Sequence, residues 1–196
     1  MAYPSVSAPY GMRPVKLIGG QVFAGSTRLF AIATNSSTAI YYGDVVKLAS
    51  GVLVKDTGTD SATPVGVFLG CTYTDPTFGK TFRQYYPGTT NITDVQAYVE
   101  DDPDALFKVA VVSTGTTISY VASTVVGKNA VLVQNSGVTA SGDATNGISS
   151  TTATTNTWPL RIISVVPETQ VAAGSYTEVI VKWNAGMHQY YTATGA

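Results

Sequence analysis

Residues 43–55 read Gly-Asp-Val-Val-Lys-Leu-Ala-Ser-Gly-Val-Leu-Val-Lys, two apolar, valine-rich runs on either side of Ser50-Gly51. Two small residues between such runs are a β-hairpin signature, because a tight two-residue loop needs positive φ, which glycine accepts without a steric penalty. Gly43-Asp44 marks the turn into the first run, and residues 56–60 form a polar loop after the second. The same punctuation recurs along the chain: nineteen glycines and nine prolines separate short segments rich in Val, Thr and Tyr. Residues of that kind suit a pleated, half-buried surface and turns rather than helices. An all-β chain is expected.

Other strands can be read in order. Residues 64–73 (Pro-Val-Gly-Val-Phe-Leu-Gly-Cys-Thr-Tyr) are almost continuously apolar, which predicts a strand buried on both faces. Gly66 and Gly70 inside it predict a bulge or close backbone packing, as at the bend of a small barrel. Further strands are expected at 80–86, 94–100, 106–113, 129–134, 160–166 and 176–183, while 118–126 reads as a strand or a short helix. Asp102-Pro103 resembles a helix start, with an N-cap residue followed by proline. Gly43–Val52 and Gly127–Val138 share a glycine, an apolar run and a Ser-Gly turn, which is common hairpin grammar rather than a repeat.

Two stretches depart from this pattern. In residues 1–28, Pro4, Pro9 and Pro14 recur every five residues, predicting an extended arm. Tyr3, Tyr10, Met12, Val15 and Leu17 make the arm too apolar to be a linker, so it needs a surface, either its own domain or a neighbouring subunit. Residues 135–157 are dense in Ser, Thr, Gly and Asn, with Asn146-Gly147 as a strong turn signal, and an outward-facing loop or surface hairpin is expected there. The expected organisation is an arm at 1–28, a barrel-like region at 29–112 and a second β-rich region at 113–196, the last two separate or continuous.

Composition narrows function by exclusion. Only 12% of residues are charged, with eleven basic against twelve acidic. This is about half the usual charged share and argues against coiled coils and charge-driven disorder. Without a basic surplus, a dedicated nucleic-acid binder is not expected. No run reaches the ~20 apolar residues of a membrane-spanning helix. The N-terminus has no cationic start or apolar stretch of a signal peptide, so synthesis and folding in a cytoplasm are expected.

Catalytic groups are scarce. The chain has one cysteine, Cys71, and one histidine, His188, too few for a disulfide or a histidine-rich metal site. Cys71 reads as a small buried hydrophobe and His188 as part of an aromatic cluster with Trp183, Tyr190 and Tyr191. Glu100, Asp101, Asp102 and Asp104 lack the alternating ligands of an EF-hand loop and read as turn charge. There is no Gly-x-Ser-x-Gly elbow, and Gly127-Lys128 fails as a phosphate loop because Ala122 and Asn129 occupy the diagnostic positions. Asn35-Ser36-Ser37 and Asn91-Ile92-Thr93 match the glycosylation pattern and mark exposed loops. No catalytic, cofactor or metal site is expected, and no enzyme. The aromatics Tyr41-Tyr42, Tyr73, Phe78, Phe82, Tyr85-Tyr86, Trp158 and Tyr190-Tyr191 leave three readings: cross-strand pairing, a subunit interface, or a sugar-binding platform.

Gly43-Asp44-Val45-Val46-Lys47-Leu48, a hairpin, and then Pro64-Val65-Gly66-Val67 together resemble the head decoration (cement) proteins of tailed bacteriophages. The order continues through Phe107–Val112, Val126–Ala130, a Ser/Thr-rich stretch, Leu160–Val166 and Val179–Asn184 to His188-Gln189. The resemblance implies a small β-barrel, tulip-like or sandwich core. It also implies a virion structural protein on the outer capsid surface that binds joints between major capsid protein subunits and self-associates, as a trimer rather than a dimer. The arm residues Tyr3, Tyr10, Met12, Val15 and Leu17 would then face the shell or a sister subunit. A phage tail or fibre component and a carbohydrate-binding module using Tyr85, Tyr86 and Trp158 are the alternatives.

Overall fold

The computed structural model describes residues 6–89, 91–170, 176–193 and 195. Among them are twelve strands and two single turns of 3₁₀ helix, with no α-helix. In chain order the strands are β1 (Arg13–Leu17), β2 (Arg28–Ala31), β3 (Val45–Ala49), β4 (Val52–Lys55), β5 (Gly66–Asp75) and β6 (Gly79–Arg83). They continue with β7 (Gln96–Glu100), β8 (Ala105–Val112), β9 (Asn129–Val133), β10 (Gly147–Ala153), β11 (Leu160–Val165) and β12 (Glu178–Trp183).

Five of these close a barrel: β8, β10, β9, β11 and β12 pair in that order, and β12 returns to β8. All contacts are antiparallel except β8–β10. β1 lies along β8 at residues 105–108, just before the stretch of β8 that β10 takes. The other six strands form a sheet of order β2-β7-β5-β3-β4, with β6 added beside β5. This sheet is open; among the described residues its two ends are linked by one isolated bridge, from Ile32 just after β2 to Leu53 on β4.

The two units share a wall. Adjacent residues of a strand point to opposite faces, and in β3 and β5 both faces are buried. Val45 and Val67 enter the barrel core with Phe107, Ile148, Leu160 and Trp183. Val46 and Phe68 enter the sheet core with Leu53, Tyr73, Tyr86 and Val99. The doubly buried strand expected at 64–73 is therefore present, and its glycines do what was expected of them. A Cβ on Gly66 would sit 2.0 Å from the Glu100 carbonyl oxygen. Gly70, at φ +129°, lies in the register shift between Phe68 and Cys71. The Ser50-Gly51 turn also forms, with φ of 51° and 81°.

Three local expectations change. Asp102-Pro103 starts no helix: the Asp102 carboxylate accepts from Asp104 N, and Ala105 N donates to the Asp102 carbonyl, so the chain turns directly into β8. Asn146-Gly147 is no hairpin tip. Asn146 is fully buried and Gly147 opens β10, so part of the expected loop at 135–157 is a barrel strand that places Ile148 in the core. Short polar residues form this strand because closure supplies hydrogen-bond partners on both edges, which composition does not reveal. Finally, β8, grouped by the sequence reading with the region at 29–112, is the barrel strand that pairs with three others.

Candidate interaction surface

Polar residues at the seam hold barrel and sheet in one arrangement. Asp44, fully buried, receives Lys55 Nζ at 2.9 Å, Tyr41 N at 2.8 Å and Asn146 Nδ2 at 2.7 Å. Asn146 in turn accepts from Asn135 N at 2.7 Å. Burial raises the Asp44 pKa, and Lys55 with the two amide donors opposes that rise. Nearby, Arg13 bonds Asp143 at 2.6 Å and lies 4.1 Å from the Tyr42 ring centroid. Gly11, at φ +76°, lets the arm press against Gly43, whose carbonyl accepts from Met12 N.

Residues 10–17 of the arm are thereby built into their own chain. Met12 is fully buried in the barrel core, and Leu17 packs against that core. Tyr10 is half-buried, and its hydroxyl donates to Glu178, which also holds Lys108 at 3.2 Å. Burial and this carboxylate push the Tyr10 hydroxyl well above the ordinary tyrosine range. Val15 is 37% exposed on β1. Tyr3 lies outside the described residues. The four described residues therefore do not form one outward patch.

The aromatics divide as sharply. Tyr73 and Tyr86 are core residues, and the Tyr86 hydroxyl donates to the Ser36 carbonyl at 2.8 Å, so Tyr86 has no free face for a sugar. Tyr41 and Tyr85 stack on each other at 5.4 Å. His188 is buried among Trp183, Tyr190 and Tyr191, with its Nδ1 accepting from Tyr190 N. Burial lowers its pKa, with the Val65 carbonyl, Asp101 and Asp102 pulling the other way. Cys71 is buried at Tyr85, and burial pushes its thiol up to about 12, which leaves it an inert core residue.

On the open sheet an apolar stripe stays outside. Phe78 is 75% exposed at the β5–β6 turn, Phe82 62% and Leu29 52%. The Phe82 ring lies over Gly70, where a Cβ would meet it at 2.9 Å, and crosses edge-on to Tyr98 at 5.8 Å. Tyr98 faces Leu29 across the β2–β7 pairing. Among the described residues β6 pairs only with β5, so its other edge is also open. Sequence reasoning singled out Phe78 and Phe82 as aromatics but did not join them to Leu29 and Tyr98. That neighbourhood depends on the Phe68–Cys71 bulge.

No group of three or more His, Cys, Asp or Glu side chains among the described residues is placed to hold a metal ion. No helix among them is long and apolar enough to cross a membrane. Compared with known family models, curated proteins and solved structures, the chain matches none.

Proposed function

We propose that this chain is a structural protein of a virus particle. It decorates the outer face of a capsid, binds the joints between major capsid protein subunits and associates with copies of itself. The observation that carries the reading is the exposed Leu29–Tyr98–Phe82 stripe beside the open edge of β6. Large apolar side chains grouped on one sheet face mark a protein-binding surface, and an unpaired edge adds main-chain hydrogen bonds to a partner. The decoration-protein resemblance of the 43–70 segment supports the same reading, and trimeric self-association comes from that resemblance alone.

The physical effect is linkage. A protein that binds the assembled shell and not its separated pieces stabilises it by about 2.7 kcal/mol per site at a hundredfold excess over Kd. Repetition over a lattice multiplies that contribution. Imaging of particles tests the proposal: density following the icosahedral lattice supports it, and density confined to one vertex establishes a tail component instead. A double substitution, Leu29→Ser with Phe82→Ser, should lower occupancy at least tenfold while the chain stays folded; unchanged occupancy removes the stripe from the contact. Deleting the arm is a poorer test, because β1 and Met12 belong to the barrel.

A further inference from the structure

A second surface lies on the barrel. A cleft of about 450 Å³ opens between the outer face of β11–β12, the 185–191 segment, the turn before β8 and Ile18. Its apolar lining includes Ile18 and Tyr191, 50% and 63% exposed, with Ile163 and Pro103. Strand register sets its polar border. Lys16 on β1 pairs with Leu106 on β8, Leu106 with Lys182 on β12, and Lys182 with Arg161 on β11. Paired residues project to the same face of a sheet, so three cations form a row across the barrel exterior.

That row is incompletely neutralised. Asp104 holds Lys182 at 2.6 Å. Arg161 donates Nε to Asn129 at 3.0 Å, and among the described residues neither Arg161 nor Lys16 has a carboxylate partner. Of the acids at the border, Asp104 lies between Ile18, whose N–H its carbonyl accepts, and Lys182, which its carboxylate neutralises, so the open positive charge of the row is at Arg161 and Lys16. Behind the cleft, in the barrel core, the Trp183 Nε1 atom is buried with no hydrogen-bond partner among the described residues. Because His188 Nδ1 accepts from Tyr190 N, its Nε2 carries the proton.

We infer that this cleft seats an acidic segment of a partner polypeptide. One apolar side chain fills the space between Ile18, Ile163 and Tyr191, and adjacent carboxylates meet Arg161 and Lys16. Its volume suits one or two side chains, and Arg is the cation best shaped for a carboxylate. A nucleic acid fits less well, since the chain has no net positive charge and the cleft floor is apolar. The inference deepens the proposed function by giving the chemistry of the capsid segment that would dock there, but it is tested on the isolated chain.

The test is an NMR titration of the full chain with a blocked pentapeptide, phenylalanine between two pairs of acidic residues. Its amide analogue (Asn and Gln for Asp and Glu) and a short oligothymidylate serve as controls. The acidic peptide should shift the Trp183 indole N–H and the Ile18 and Ile163 methyl signals, saturating at about 1 mM or below. The amide analogue and the Arg161→Glu, Lys16→Glu variant should bind about tenfold more weakly. An Arg161→Gln variant of unchanged thermal midpoint provides the same reading should the double reversal perturb folding. No shift at these signals, equal binding of the amide analogue, or tighter binding of oligothymidylate overturns the inference. Loss of wild-type occupancy on capsids would instead overturn the proposed function and leave the titration result standing.

Discussion

The barrel and the open sheet are built from the same kinds of residue, yet they meet solvent differently. In the barrel, closure pairs the strands β8 to β12 around the ring, and β1 occupies the part of β8 that β10 leaves free. Its exterior is bordered by charge: Lys16, Lys182, Arg161, Lys108 and Glu178. The sheet does not close. It covers its inner face against its own core and leaves β6 with an open edge and the Leu29–Tyr98–Phe82 stripe outside. Closure satisfies backbone groups within the chain, and an open sheet keeps them for a partner. The sheet therefore presents an apolar stripe beside an open edge, and the barrel presents an apolar cleft bordered by cations.

Substitutions test how separate the two units are. The largest effect is expected at the seam. Asp44→Ala leaves Lys55, with only 11% of its side chain exposed, without its carboxylate, and removes acceptors from Tyr41 N and Asn146. Breaking a buried pair on one side costs about 3–5 kcal/mol, read as a fall in the urea midpoint. One cooperative transition would show that barrel and sheet unfold together; two transitions, with only one moved, would show them to be independent.

Gly66→Ala comes next. The new methyl would meet the Glu100 carbonyl oxygen in the shared wall, and overpacking of this kind costs about 1–3 kcal/mol. Both cores should loosen, visible as faster amide exchange in β8 as well as β7. Exchange confined to β7 would mean that strain does not cross the wall.

Glu100 gives a smaller, pH-dependent effect. It is buried, its Oε2 has no partner among the described residues, and burial raises its pKa from 4.5 to about 7, with Asp102 and Asp101 adding to the rise and the Asp102 amide opposing it. A raised carboxyl favours the protonated form in the folded state. Its stability contribution is therefore full below pH 4.5 and is lost as pH rises through about 7. Glu100→Gln should be more stable than wild type at about pH 8 and lose that advantage as acid protonates the native residue. A pH-independent difference would show that Glu100 does not titrate in this range.

The smallest change in stability is expected at Phe82→Ser. The exposed ring contributes within about 0.5 kcal/mol to folding, so a thermal midpoint near that of wild type should accompany the loss of occupancy predicted for the stripe. A large fall in midpoint would mean that the ring over Gly70 belongs to the sheet's own packing.

Much of this architecture was legible along the chain because it is local. The Ser50-Gly51 hairpin, the doubly buried β5, the glycines of its bulge and the buried Cys71 each follow from neighbouring residues. Ile118–Val126 stayed ambiguous because its structure is mixed: Ile118 makes one bridge to Val112, and Ser123–Val125 is a 3₁₀ turn. The Asn146-Gly147 signal misled for a physical reason. The buried Asn146 side chain is taken up by Asp44, 102 positions away in sequence, and not by a local turn. The candidate surfaces were less legible still. Leu29 joins Tyr98 and Phe82, and Lys16 joins Lys182 and Arg161, only through strand register.

Alternation of apolar and polar residues, glycine placement and turn chemistry were enough to make this an all-β chain with its strands near the right positions, since those preferences act over a few bonds. Which strands close into a ring, which face stays wet, and where unpaired cations gather depended on contacts between residues far apart in sequence. Pairing energies of that kind are set by loop closure and by the packing of whole cores against each other, and no short window of residues contains them.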